Sequence, residues 1–506
     1  MKQLIWLFVT CLFIGVTFIS CSDDDGASDS TEQTDDSDSG DDGSDGDGSE
    51  DDGTDDSDGD DSEDGGTDDS DGDGSEDGGT DDSDGDDGEN GSGGEGDGNG
   101  EGNGDGNGGG DGDGGGSGGT SESTGSASAT GYSQSSGTNS ATGETYTSTN
   151  SDENAVQVTG GTFTMTDCTV TKNSGDTSDS DGSSFYGINS AVYCAGSSAV
   201  INISGGTVTT SAKGANGVFA YNYGTINISD VTINTSSNLS RGIHATGGGI
   251  INASNLTITT AKTNCSVIAT DRGGGTVTVS GGTYTTTGDD SAVIYSTGTI
   301  TATGITGSSA VGELGVIEGS NSITITDCDL TSGSTERGLM ILQSGSGDSE
   351  GYDGQITVSG GSLSLTSSST PLLEVPTAIN ATLTLKDVSL TVPSGVLMYV
   401  NYNTQWSTYG GTGTLVLSTD SSYSYEGDVK ADSYSYAEVE VDEGVSWTGT
   451  MNGDNNAKSA SVTVSGTWTL SGDSYVHTLI VNSGATVNTN GHSLHYDSLT
   501  GSGTVN

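Results

Sequence analysis

The chain has three arginines, Arg241, Arg272 and Arg337, all in its second half and all near Asp271, Asp290, Glu318 and Tyr295 in a repeating register. A guanidinium beside carboxylates can orient an acidic sugar or abstract a proton, whereas glycoside hydrolysis needs two carboxyls ~5–9.5 Å apart. Asp289-Asp290 is the one adjacent acid pair on a repeat. Arg241 and Arg337 share a position before a glycine, four repeats apart, which at a strand spacing of ~4.8 Å separates them by roughly 19 Å. They do not converge on one reacting atom. Elsewhere Asp69, Asp71 and Asp73 with Gly74 match the first half of a calcium loop, but Thr80 stands where the bidentate Glu belongs. A solvated spacer is the simpler reading there, with weak multi-site calcium condensation as the alternative; no other cofactor is implied.

The segments that carry these residues differ sharply in composition. Of 506 residues 87 are Gly and 3 Pro, and the formal net charge is −63. Residues 22–120 hold 40 acids, 33 Gly, a single hydrophobic residue (Ala27) and no Lys or Arg. A stretch like that buries no apolar surface and repels itself, so it reads as an extended, disordered tether. Four copies of a 13-residue acidic unit run through residues 40–91, and a flexible 100-residue chain spans ~55 Å root-mean-square before repulsion stretches it. The charge excludes nucleic acid and anionic membrane surfaces as partners, since both require clustered Lys and Arg.

Lys2 precedes the apolar run Leu4–Ile19, which is short for a membrane span and suits a signal h-region. With Ser20 before it, Cys21 is the expected lipidation site, and several acyl chains on one residue give stable anchoring. Ser22-Asp23-Asp24-Asp25 follows directly. This resembles the surface-export signal of Bacteroidota lipoproteins, which implies an outer-membrane location with the chain facing the extracellular side.

From about residue 130, Ser, Thr, Gly and Asn alternate with Val and Ile. Short alternating strands begin at Phe163, Ile201, Ile226, Ile251, Val277, Ile300, Ile323, Ile356 and Leu383, at steps of 38, 25, 25, 26, 23, 23, 33 and 27 residues. Each is followed by a turn that tolerates positive φ (Gly205-Gly206, Asp230, Asn255, Gly281-Gly282), a second strand, a variable loop and a third apolar strand such as Gly242-Ile243-His244-Ala245. No helical period is evident. Three short strands cannot bury a face alone, but stacked coils can. The pattern is that of an all-β, right-handed parallel β-helix, a three-stranded solenoid with coils of about 25 residues.

The repeats, with Ser184-Phe185-Tyr186-Gly187-Ile188-Asn189 and Thr270-Asp271-Arg272-Gly273-Gly274, resemble pectin-lyase-like folds and bacterial adhesin passengers. Val445-Ser446-Trp447-Thr448-Gly449 and Thr467-Trp468-Thr469-Leu470 resemble the closing coils of such passengers. Four divisions follow: signal peptide 1–20, lipidated Cys and tether 21–130, β-helix 131–430, and C-terminal coils with a cap 431–506. Cys168, Cys194, Cys265 and Cys328 are too far apart in register to bridge and read as small buried hydrophobes.

Lyases of the resembled class use an Arg or Lys base beside calcium-binding carboxylates, and the hydrolases a tight group of three Asp; neither Arg241 nor Arg337 carries such a surrounding motif. The expected function is a surface lipoprotein presenting a non-catalytic, adhesin-like rod to a glycan or host-surface ligand. The alternatives are a carbohydrate-active enzyme of the pectate-lyase type and a passive structural surface protein. In the expected binding face, Asn216, Arg241, Asp290 and Arg337 stack at the entry to the third strand, and Tyr221, Thr246, Asp271-Arg272, Tyr295 and Glu318 stack at its exit. His244 is read as a core residue in line with Phe219, Ile268 and Ile294. The Thr-x-Thr pairs 207/209, 257/259 and 283/285 resemble ice-binding solenoids, although Asn234 and Ser364 interrupt them.

Overall fold

The computed structural model describes residues 128–345, 350–404, 407 and 409–506. Cys21, the Ser22–Asp25 export signal and the Asp69, Asp71 and Asp73 calcium candidates lie outside the described residues.

Alternation of aliphatic and polar residues dictates the architecture, a parallel β-helix. A wide sheet takes the first and second strand of each coil, 23 strands among the described residues, and a narrow sheet of 12 takes the third. Every named pairing between strands is parallel and joins one coil to the next: Ile201, Ile226, Ile251, Val277, Ile300, Ile323, Ile356 and Leu383 form one unbroken column. All eight are buried, as are the partners one pleat on, Ile203, Ile228, Ala253 and Val279. Each fully buried aliphatic contributes roughly 1.5–3 kcal/mol, and no coil could collect that alone.

A single residue with positive φ bends the chain between first and second strand. Asp167, Gly205, Asp230, Asn255, Gly281, Gly304, Asp327, Gly360 and Asp387 occupy this column, with φ between 51 and 67°. Only Gly, Asn and Asp hold that conformation cheaply, which is why they recur here. The next position points inward. Cys168 and Cys328 share it with Val231, Leu256, Ile305 and Val388, and all four described cysteines are buried and unbridged.

A buried hydroxyl column closes the second strand: Thr210, Thr235, Thr260, Thr286, Ser309 and Ser332. Several of their hydroxyls hold loop carbonyls: Thr235 donates to Ser240 in the loop that follows at 2.6 Å, and Ser332 to Gly312 in the preceding coil at 2.7 Å. Lys172 takes the column's place one coil earlier, its Nζ donating to the carbonyls of Asn150, Ser174 and Gly175 at 2.6, 2.7 and 2.9 Å.

Two features depart from the sequence expectation, and within the expected β-helix of 131–430 one coil lies ahead of the strands that alternation marks. The solenoid starts one coil before Phe163, with strands Ser128–Gln134, Thr138–Thr142 and Thr145–Thr147. Those strands hold few aliphatics, so alternation does not betray them. A helix, α1 (Ser180–Phe185), forms within the first long insertion, capped by Asp179, whose carboxylate accepts from the Gly182 N–H at 2.8 Å. It is too short to show a helical period. Finally, Ile268 and Ile294 pair one residue away from the alignment read from sequence: Ile243 faces Ile268, which faces Ile294, so His244 keeps Phe219 on one side but has Ala269 on the other, and Tyr295 follows Ala269.

Candidate functional site

The residues expected to form a ligand-binding face lie on the outer side of the narrow sheet, where they make two ion networks. In the first, Arg241 Nη2 donates to Asp271 Oδ2 at 3.2 Å and Nη1 to Ser184 Oγ at 3.4 Å, while its backbone N–H reaches Asn216 Oδ1 at 3.0 Å. Asp271 Oδ1 accepts the Arg272 N–H at 2.9 Å, and the Arg272 guanidinium lies 3.7 Å above the Phe185 ring centre. Tyr295 donates to Glu318 Oε1 at 2.6 Å, and Ser344 to Glu318 Oε2 at 2.6 Å. Burial, reinforced by Glu318 and Asp271, pushes the Tyr295 phenol well above its usual range.

In the second network Arg337 pairs with Glu313 at 3.1 Å, with Glu374 at 3.0 Å and with Glu336. Burial works against the Arg337 charge, but Glu374, Glu313 and Glu336 outweigh it and hold the guanidinium above its ordinary range. The Glu313 carboxyl is raised by burial, and that of Asp290 by burial and then by Asp289. Asp290, two residues before the register of Arg241 and Arg337, lines a cleft of ≈ 210 Å³ with Asp289, Glu313, Glu336 and Arg337.

Burial decides what this face can do. Arg241, Asp271, Tyr295 and Glu318 are 2–4% exposed and Arg337 is 8%. Only Arg272 is open, with Asp290 half-buried. The seven residues read from the sequence lie on one outer side of the solenoid, yet five of them face protein rather than solvent. The long side chains satisfy one another across coils, and α1 folds over the first network. Tyr295 also stands two residues before the expected register: it points into an outer apolar cluster with Ala269, Val316 and Met340 rather than stacking with Thr246 and Asp271. Among the described residues no group of three or more His, Cys, Asp and Glu side chains is placed to hold a metal ion.

The open polar surface lies on the wide sheet, immediately before the positive-φ bend. Thr164, Asn202, Asn227 and Asn252 form one outward column, continued by Thr278, Thr301 and Thr324. Two residues along, Thr166, Ser204, Ser229, Ser254 and Ser280 form a second. Each asparagine amide donates to the oxygen of the one above, Asn227 to Asn202 and Asn252 to Asn227, both at 2.9 Å. The ladder fixes each amide in one orientation and leaves a second N–H and a carbonyl lone pair facing outward. Thr164, Ser204, Ser229 and Ser254 join the asparagines around a hollow of ≈ 280 Å³. No charged residue occurs in either column from Thr164 to Thr326.

Sequence reading treated these asparagines only as the polar half of an alternation. Their signal was present as Ile-Asn-Ile at 202 and 227 and Ile-Asn-Ala at 252, spaced by one coil. Recognising it requires asking what repeats on the outside as well as what repeats inside. Comparison with known protein families, with curated proteins and with solved structures gave no match.

Proposed function

We propose that this chain is a cell-surface lipoprotein whose β-helical rod is a non-catalytic, adhesin-like binder of glycan, held to the outer membrane through Cys21. The observation that carries this reading is the oriented amide ladder Asn202–Asn227–Asn252 in an open, uncharged hollow flanked by serine hydroxyls. Fixed amides and hydroxyls repeating at ~4.8 Å match a ligand that itself repeats donors and acceptors along one axis. The lack of charge favours a neutral polysaccharide over a polyuronate.

The cleft at Asp290 favours a second reading, a carbohydrate-active enzyme, because a raised carboxyl in a cleft is where acid catalysis is found. Its acidic lining would repel the polyuronates of the pectate-lyase type. A glycan-array screen of the purified protein, with and without calcium, followed by product analysis on each hit, separates the readings. The binder reading expects saturable retention of intact neutral glycan, weakened at least tenfold in the Asn202→Ala/Asn227→Ala/Asn252→Ala variant. Shortened or unsaturated sugars would replace it with the enzyme reading. Absence of any retention would leave a passive surface role.

A further inference from the structure

Helix α1 and the residues after it form a strap that crosses from its own coil onto three later ones. The Ser183 carbonyl accepts from Asn216 Nδ2 at 3.0 Å, Ser184 Oγ from Arg241, and the Phe185 carbonyl from Thr246 Oγ1 at 2.7 Å. The Phe185 ring lies under Arg272, Tyr186 meets Tyr221 edge-on with centroids 5.8 Å apart, and Gly187 sits so close to Phe219 that a Cβ there would be 2.5 Å from its ring. These contacts surround one residue. Arg241 and Thr246 flank His244 on its own strand, Phe219 precedes it on the adjoining coil at 4.7 Å between ring centroids, and Asp271-Arg272 lies on the coil beyond.

His244 is fully buried, and neither ring nitrogen has a hydrogen-bond partner. Its Nε2 is 4.0 Å from Asp271 Oδ2, an oxygen already accepting from Arg241. We propose that His244 makes the strap an acid-sensitive latch, closed while the imidazole is neutral and released when it takes a proton. The charged and titratable groups around it are Arg241 on its own coil, Asp271 and Arg272 on the next, and Tyr193 and Tyr295 two coils away on either side, while Asp181 at the start of α1 is exposed. Arg241 repels an imidazolium, and the one carboxylate within reach is shared with that same guanidinium. Protonation therefore has no stable home beneath the strap, but has one in water.

Burial and then Arg241 hold the closed-state imidazole well below its usual range, in keeping with this geometry. The sign follows from linkage. The open state binds the proton at an ordinary histidine value near ~6.5, so closure is complete above that pH and weakens about tenfold per pH unit below it.

The test is hydrogen exchange of the whole protein by mass spectrometry between pH 7.5 and 5.0, corrected for intrinsic exchange rates. Peptides spanning 180–190 are expected to lose protection about tenfold per unit below pH ~6.5, whereas peptides around Trp447 and Trp468 hold theirs. His244→Phe and His244→Gln should each remove the pH dependence. Unchanged protection of 180–190 in the wild type down to pH 5.0 overturns the proposal. So does an equal pH response in whichever variant folds.

Discussion

The coils from Phe163 to Thr391 and those from Tyr436 to Val505 maintain the same stacking in different ways. In the former, three strands per coil fill the interior with moderate aliphatics, and loops as long as the strap leave and re-enter between them. In the latter the narrow sheet has ended at Asp428–Ala431, and a five-stranded sheet that begins at Tyr423–Glu426 takes the strand after each bend as far as Thr504–Val505. Coils shorten until Val462 stacks on Leu479 and Leu479 on Leu499. Their interior is held by Trp447 and Trp468, both fully buried, with rings stacked at 5.1 Å and indole N–H groups donating to the carbonyls of Gly427 and Gly449. Many small interchangeable contacts tolerate insertions, and insertions carry the polar chemistry. A few large contacts close a rod but tolerate little change.

The sharpest way to break this comparison is Trp468→Ala. Removing a buried indole that also fills a hydrogen bond costs about 3–5 kcal/mol. In a stack where coils contact only their neighbours the loss should stay local. Hydrogen exchange should show coils from Tyr436 onward losing protection while 199–260 keep theirs; a uniform loss along the rod would show that the two regions form one cooperative unit. Ile226→Val, by contrast, should cost about 0.5–1.5 kcal/mol.

Gly307→Ala tests how much slack the repeat coils possess. Gly307 stacks against Tyr284, whose full-sized ring occupies the interior where other coils carry Val208, Ile233 or Ile258. A Cβ at Gly307 would stand 2.6 Å from Leu330 Cδ2 and 2.8 Å from Val293 Cγ1. Overpacking of this kind costs about 1–3 kcal/mol, read as a lowered denaturation midpoint at unchanged m-value. A neutral result would mean that these coils breathe enough to absorb a methyl.

Much of the solenoid was legible because its rules are local. Aliphatic alternation gives the strands, and Gly, Asn or Asp after each first strand gives the bend. Position around the solenoid was legible for Arg241, Asp271 and Arg337, but their exposure was not. Burial of Arg241 and Asp271 depends on α1, an insertion whose landing place some 60 residues further along no periodicity encodes, and that of Arg337 on Glu313 and Glu374 in neighbouring coils. The third-strand register slipped for a related reason. Ala292-Val293-Ile294-Tyr295 offers three consecutive apolar residues, and composition alone does not choose which faces inward.

Lys172 offers a smaller effect with a distinctive pH signature. Its amine is lowered from 10.5 to about 8, chiefly by burial, with Glu153, Asp152 and Asp176 opposing. The folded protein therefore releases this proton before the unfolded chain does. Between pH 8 and 9.5 this amine holds more of its proton in the unfolded state, so its own contribution to stability rises with pH by on the order of 1 kcal/mol across the window, while the thiols of Cys194, Cys265 and Cys328, raised by burial, contribute with the opposite sign. Staying below pH 9.5 avoids the ordinary titration of tyrosines in the unfolded state. Lys172→Thr, which restores the hydroxyl of the neighbouring coils, should make the slope of stability against pH more negative than in the wild type by that contribution; equal slopes in the two proteins would sink the assignment.

The smallest effect tests how each region turns its corner. The repeat coils bend at one residue, Asn255 at φ 53° for instance, whereas the terminal coils use turns of two to four residues, those at 442–444 and 482–485 carrying Gly444 and Gly484 at φ 85 and 88°. A one-residue bend keeps the first and second strands continuous enough that 249–260 forms a single strand, and so keeps Asn252 aligned with Asn227. Asn255→Ala should cost about 0.5–1 kcal/mol, because alanine adopts positive φ less readily than asparagine, and Asn255→Gly should cost less. If the bend also sets the amide ladder, Asn255→Ala should weaken glycan retention beyond its effect on stability, whereas Gly484→Ala should lower stability and leave retention alone. Equal retention in both variants would separate the ladder from the bend and leave the alternating strand alone to orient its amides.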